Sequence, residues 1–391
     1  MKWKTVRAEE YCDSVRDGTH DTPKPVEMGY KLVTGKHIKN GQIDSTDAYY
    51  ISEKDYKKIN ERSLVEQWDV IMSMIGTIGE VAVVKEQPDY AIKNIALFKC
   101  FGSELKGKWL GYYLKSANAQ RYMFGSQKGS SQQFISLKQL RSLPILITDE
   151  TYMQKLVDIL SAYDDLIENN QKQIELLEEV AQRLYREWFV DLRFPGYENV
   201  EIVNGVPEGW SRKCLDEIAD IKMGQSPKSE FYNDNQQGMP FHQGVSSYGD
   251  RFVEDSTYST SYTRIADAGS ILFSVRAPVG RLNITKNRIV IGRGLAALNH
   301  KLELRSFLFY MLKERFFKED LLGNGSIFSS ITKTELFTQS FIYPSENLAN
   351  MFEDNVSKID DKISILDDQI RQLIEARDRL LPKLMSGELE V

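Results

Sequence analysis

The sequence predicts an α/β (α+β) fold built twice: two similar globules, each followed by a long helix, with the two helices pairing as a coiled coil. Three observations carry this. Short phrases recur in the same order about 200 residues apart. A seam of apolar residues spaced alternately by four and three occurs twice. Each seam follows a mixed block of about 150 residues with β-rich runs, helical stretches and turn signals.

The elements follow in order. Residues 1–150 form the first block, with β-rich runs at Val70–Ser73 and Val81–Val84 and a helical stretch from Lys108 to Met123. Lys39-Asn-Gly41 is a turn signal. Residues 151–190 are the first long helix, opening on Thr151-x-x-Gln154 as a capping box. Its seam is Leu156, Leu160, Tyr163, Ile167, Asn170, Ile174, Leu177, Ala181, Leu184 and Trp188, and Pro195-Gly196 follows. Residues 191–345 form the second block, with turns at Asn204-Gly205 and Ser246–Asp250, a strand at Arg288–Ile291 and a helix from Ser306 to Asp320. Residues 346–387 are the second long helix, with Asn347 as the N-cap residue. Its seam is Phe352, Val356, Ile359, Ile363, Leu366, Ile370, Leu373, Arg377, Leu380 and Leu384, and Pro382 should end or kink it before Gly387. Such stripes cannot stand uncovered in water. Their equal length, phase and period favour pairing with each other over separate packing on each globule.

The blocks align with each other. Trp3 and Gly18 match Trp210 and Gly224, and Asp69–Ser73 with Ile78-Gly79 matches Gly269–Ser274 with Val279-Gly280. Gly129-Ser130 with Leu140 matches Gly325-Ser326 with Leu336, at an offset of 196 that continues through both seams. Asp164-Asp165 and Asp360-Asp361 share one position.

Net charge is −6, but it is unevenly placed. The blocks carry +3 and 0, and the helical segments carry −4 and −5. Acid confined to the helices leaves the blocks free to meet nucleic acid. No apolar run reaches the ~20 residues of a membrane span. No signal peptide is evident. Cys12, Cys100 and Cys214 read as reduced cytosolic thiols, so a cytoplasmic location is expected.

Catalytic constellations are missing from the pattern. No phosphate loop, dinucleotide fingerprint or amino-methyltransferase motif is present. His20, His37, His242 and His300 lack metal spacing, so no metal and no cofactor are expected. Pro88-Asp89 with Lys93 lacks the second acid of a nuclease site and reads as a loop.

Binding chemistry is present in three places. The first is the recurring Gly/Ser/Gln loop, with Lys128, Ser130, Gln132 and Gln133 in one half and Ser326 in the other. Glycine lets backbone N–H groups approach phosphate, and these side chains donate to phosphate or base edges. The second is Thr34, Lys36 and His37, with His242 and Gln243 in the other half. The third is the run Arg276, Arg281, Arg288 and Arg293 around Ala277-Pro-Val-Gly280, whose counterpart Met74–Gly79 carries no arginine. Arginine grips guanine bidentately or holds phosphate. Plain surface loops remain the competing reading for each.

The chain resembles the specificity subunit of type I DNA restriction-modification enzymes. The resemblance rests on Asp164–Ile174 running to Arg186-Glu-Trp-Phe189 and Phe194-Pro-Gly196, on the closing Leu380-Leu-Pro-Lys-Leu-Met-Ser-Gly387, and on the order globule–helix–globule–helix. It implies that each globule is a target recognition domain reading one half of a bipartite, asymmetric double-stranded DNA site. It implies an antiparallel coiled coil that sets the spacer, two docked methyltransferase subunits, motor-nuclease subunits in the full complex, and no catalysis by this chain. A nuclease with an unrecognised site and a coiled-coil adaptor that never touches DNA are the alternatives. In an antiparallel pair Arg377 should face the region of Tyr163, and in a parallel one Ala181.

Overall fold

The structure, a computed structural model, describes residues 3–39, 41–76, 78–124, 135–316, 330–389 and 391. It divides into two compact units, one of Met1–Asn169 with Gln369–Val391 and one of Asn170–Asp368. Both long helices, Glu150–Phe189 and Glu346–Ser386, contribute one half to each unit.

The first unit is built on a four-stranded antiparallel sheet in the order Ser14–Asp17, Ile95–Lys99, Val70–Ser73, Val81–Val83. Val70–Ser73 is buried at every position, as expected of a strand covered on both faces. Helix Glu104–Lys115 lies on this sheet and places Trp109 at the centre of the core. A three-stranded sheet sets Tyr30–Val33 parallel to Tyr90–Ile92 and antiparallel to Tyr50–Ile51. Lys4–Arg7 pairs with Pro144–Ile147, so the start of the globule is stitched to the residues that lead into the central helix.

The second unit repeats the plan. Its four-stranded sheet runs Ala219–Met223, Leu295–His300, Ile271–Ser274, Leu282–Ile284. Met239–His242 lies parallel to Ile289–Ile291, and Ser211–Cys214 pairs with Ser340–Tyr343. The corresponding helix is Arg305–Phe316. The order of the four-stranded sheet, a parallel strand pair and the stitching pair recur in both units, which makes the internal duplication structural.

The long helices pair antiparallel. In the first unit Leu156 and Leu160 share a core with Leu381 and Leu384, and the Arg377 guanidinium meets not Tyr163 but the next residue, at 2.7 Å from Asp164 Oδ1. In the second unit Tyr185 and Trp188, late in the central helix, pack on Phe352, early in the C-terminal one, at 5.7 and 6.0 Å between ring centres. Every seam residue is buried or half-buried, Asn170 included. A fully buried seam leucine contributes about 1.5–3 kcal/mol, so the stripe drives the pairing.

Four local expectations change. The central helix begins at Glu150, and Asp149, not Thr151, caps it by accepting from the Tyr152 N–H at 3.0 Å. Asn347 lies inside the second helix, whose first turn closes from Ala349 N–H to the Ser345 carbonyl at 3.1 Å. Pro382 does not end that helix, which continues to Ser386. Proline sacrifices one backbone bond, and the last turn is held instead by buried Leu384 and Met385. The stretch Lys108–Met123 is two helices, Glu104–Lys115 and Ala117–Phe124, broken at Ser116, where ψ is 152°.

No described helix is long and apolar enough to cross a membrane.

Candidate nucleic-acid interface

Each unit presents two loops from neighbouring strands. One follows the parallel strand pair, and the other is a hairpin leaving the four-stranded sheet.

The bases of the two hairpins are bonded alike, while their tips differ: Gly76 has φ of 82°, and in the second unit Ala277–Pro278 is a cis peptide. In the first unit Ser73 N–H donates to the Glu80 carbonyl at 2.9 Å, Gly79 N–H to the Ser73 carbonyl at 3.1 Å, and Glu80 N–H to Ser73 Oγ at 3.0 Å. In the second, Ser274 N–H donates to the Arg281 carbonyl at 2.9 Å, Gly280 N–H to the Ser274 carbonyl at 3.0 Å, and Arg281 N–H to Ser274 Oγ at 2.8 Å. Ile135 N–H reaches the Met74 carbonyl as Ile331 N–H reaches that of Val275. Gly79 and Gly280 both adopt positive φ, 91° and 86°, which glycine tolerates without strain. These bonds equate Ile75 with Arg276 and Glu80 with Arg281. The frame is shared, and the side chains it carries differ in charge.

In the second unit Gln243, Ser246, Arg276, Ala277 and Gly294 line an open groove of about 390 Å³. Gly294 is what lets its two walls meet. A Cβ there would lie 2.4 Å from the Gln243 carbonyl oxygen, and the Gly294 carbonyl accepts from Val275 N–H at 2.9 Å. Gln243, Arg276 and Arg293 are exposed, and Arg281 is half-buried. Arg288 pairs with Asp267 at 3.1 Å on the surface.

The histidines serve differently from the expectation that they face a ligand. His242 is buried, with Nδ1 2.8 Å from Ser247 Oγ and Nε2 2.9 Å from Asp255 Oδ1. His37 is buried too, its Nδ1 accepting from Thr34 N–H at 2.8 Å. Its Nε2 therefore carries the proton and faces Asp47 Oδ1 at 3.1 Å, at an angle that makes no hydrogen bond. Burial holds the His37 pKa below the ordinary histidine value, against the pull of Asp47. Both rings brace their loops, and the exposed groups beside them, Lys36 and Gln243, are the ones open to a ligand. Lys36 Nζ rests on Asp47 at 2.8 Å, an exposed pair that costs little to break. Lys128, Ser130, Gln132, Gln133 and Ser326 lie outside the described residues.

Two features escaped the sequence. Buried Arg251 reaches Asp360 Oδ1 at 2.6 Å, Glu178 Oε1 at 3.1 Å and the Tyr310 hydroxyl at 3.2 Å. It joins the second globule to both helices, and the repeated Asp164/Asp360 position was the available signal. In the first unit the Tyr112 hydroxyl donates to Asp164 at 2.7 Å, so the same helix position anchors a globule tyrosine in each unit. The neighbouring Cys100 thiol, together with burial, pushes the Cys12 thiol up. Among the described residues no group of three or more His, Cys, Asp or Glu could hold a metal ion.

The family profile described as the type I restriction modification DNA specificity domain matches the chain twice, over residues 1–179 and 207–376. Over its whole length the chain is 28% identical to the MjaX type I restriction enzyme specificity subunit of Methanocaldococcus jannaschii, covering 94% of that protein. It is 25% identical to the HindI specificity subunit of Haemophilus influenzae, over 68% of this chain and 72% of that one. The crystal structure of a type I restriction-modification S subunit from M. genitalium matches with a TM-score of 0.56 at 17% identity, covering 98% of this chain and 96% of that one, a likeness of fold.

Proposed function

This chain belongs to the type I restriction modification DNA specificity family, and from that premise we propose that it is the DNA sequence-recognition subunit of a type I restriction-modification complex. Residues 1–150 and 191–345 are its two target recognition domains, and each reads one half of a bipartite, asymmetric site in double-stranded DNA. The helical segments 151–190 and 346–387 set the spacer between the halves and dock two methyltransferase subunits, which motor-nuclease subunits join in the full complex. The chain itself catalyses nothing and needs no cofactor. It acts where the DNA is, in the cytoplasm.

The observation that carries this reading is one hairpin frame used twice with different side chains, Ile75 and Glu80 against Arg276 and Arg281. A protein that reads two different half-sites needs this combination of constant frame and variable tip. Arg276 and Gln243 face one groove, where a guanidinium can donate twice to guanine O6 and N7 and a carboxamide can pair with adenine. Arg281, Arg293, Thr34 and Lys36 supply charge and donors for phosphate, which fix register without reading sequence. Exposed Leu176, Val180 and Ile365 on the outer faces of the helices suit a protein partner.

The test is exchange of residues 1–150 for those of another family member, followed by sequencing of methylated bases in cells that also make the modification subunit. One half of the methylated site should change, and the half read by residues 191–345 should stay. If both halves change together, the two-reader assignment is wrong.

A further inference from the structure

Resting on that reading, the equivalence of the two hairpins assigns a base to a residue outside the polar set. We propose that Ile75 reads a thymine in the half-site of the first globule, packing its side chain on the C5-methyl group in the major groove.

Ile75 stands where Arg276 stands in the second unit, by the shared bonding of the flanking residues: Ser73 with Ser274, Met74 with Val275, Gly79 with Gly280. Arg276 lines the groove of the second unit. Ile75 and Arg276 both leave this shared bonded base, so each is presented to the same side of its own half-site. Ile75 is 54% exposed, although the strand before it is wholly buried. The next residue, Gly76, has φ of 82° and open space where a Cβ would sit, so nothing among the described residues shields the isoleucine in that direction. On the other side Gly35 begins the turn Gly35–His37, and a Cβ on it would lie 3.4 Å from the Ile75 carbonyl oxygen. That contact sets the tip beside Lys36, an exposed cation fit for phosphate.

The chemistry then narrows the base. A branched aliphatic side chain has no donor or acceptor, so it cannot select guanine, adenine or cytosine by hydrogen bonds. The single apolar group on the major-groove edges of the bases is the thymine methyl. Removing one such contact is worth about fourfold in affinity, from ~0.8 kcal/mol per buried carbon and tenfold per ~1.4 kcal/mol.

The experiment uses the full chain assembled with its modification subunit. The methylated site is first read by sequencing. Duplexes are then made in which each thymine of the first half-site is replaced in turn by deoxyuridine, which lacks only the methyl. The intact protein should lose about fourfold in affinity at one position, and I75A should bind the thymine and uracil duplexes equally. I75A removes an exposed side chain, and an unchanged melting temperature shows that it folds. Absence of thymine from that half-site, indifference of the intact protein to every replacement, or equal discrimination by I75A would each overturn the assignment of Ile75. The wider reading fails separately, if no bipartite site is methylated or if exchange of residues 1–150 leaves both halves as they were.

Discussion

Replacing Arg251 by methionine should destabilise the second unit by about 3–5 kcal/mol, the cost of removing one partner from a buried ion pair. The guanidinium is buried, with its central carbon 3.9 Å from the centre of the Phe309 ring and its nitrogens on Glu178, Tyr310 and Asp360. Burial opposes its charge, but Asp360, Tyr310 and Glu178 outweigh that cost and hold its pKa above the ordinary arginine value. Methionine restores much of the stem's volume, so the loss is electrostatic: Asp360, itself 4% exposed, loses its cation. For a unit spanning Asn170–Asp368, each kcal/mol shifts the melting temperature by about 2–4 °C, so the drop should be about 6–20 °C. Calorimetry of the full chain measures it. The double variant R251M/D360L should recover part of the loss, because it removes the stranded aspartate while Glu178 keeps Lys313 at 3.2 Å, and two contacting residues couple by about 0.5–3 kcal/mol. A loss below about 1 kcal/mol in R251M, the worth of an exposed pair, would refute the claim that this network fastens the globule to both helices.

Two further outcomes are expected. Burial, aided by Lys213, pushes the His300 pKa down to about 4 from an ordinary 6.5, and its Nδ1 accepts from Leu302 N–H at 3.0 Å while Nε2 bonds the Tyr343 hydroxyl. The unfolded chain therefore binds a proton between pH 6.5 and 4 that the folded chain refuses, so stability present above pH 6.5 is lost as pH falls toward 4, by up to about 3 kcal/mol. Melting temperatures across that range should fall more steeply for the intact protein than for H300Q, and parallel slopes would exclude His300 as the cause. Inserting four residues, about 6 Å of helix, in the middle of the central helix should lengthen the spacer of the methylated site by one or two base pairs at ~3.4 Å each. A change in the bases read, with the spacer kept, would remove the helices from the role of ruler.

The long-range plan was legible because it is written in periods. A seam repeated at 3.5 residues specifies paired helices whatever the intervening side chains are, while their direction came from the family resemblance, and Arg377, met by Asp164 at 2.7 Å, agrees with it. Helix ends were less legible. Asp149 and Thr151 are both good caps by type, and only the stitching of Pro144–Ile147 to Lys4–Arg7 decides where the helix can begin. The histidines misled for a related reason. A histidine between polar loop residues looks available until a distant acid, Asp255 or Asp47, is folded against it. Arg251 itself carried no local signal because its partners lie 73, 59 and 109 residues away, and only the repeated Asp164/Asp360 position hinted at the network.

The duplication has a physical consequence for how such a chain can change what it reads. The base of the hairpin depends on backbone bonds, one serine hydroxyl and the positive-φ glycine that both copies share, Ser73 and Gly79 in the first copy and Ser274 and Gly280 in the second. None of these is the exposed tip residue. Isoleucine in one copy and arginine in the other sit on the same bonds, so the frame does not constrain the tip. The groove beyond Gly292 and Gly294 is the reverse case. Side chains there would collide with the Gln243 backbone at 2.9 and 2.4 Å, so that wall tolerates little change. Divergence at the hairpins should therefore concentrate at the positions of Ile75, Glu80, Arg276 and Arg281. Changing Gly294 to alanine should disturb the backbone of Gln243 and weaken binding to every sequence, whereas changing Arg276 should weaken binding chiefly to sites with the matching base.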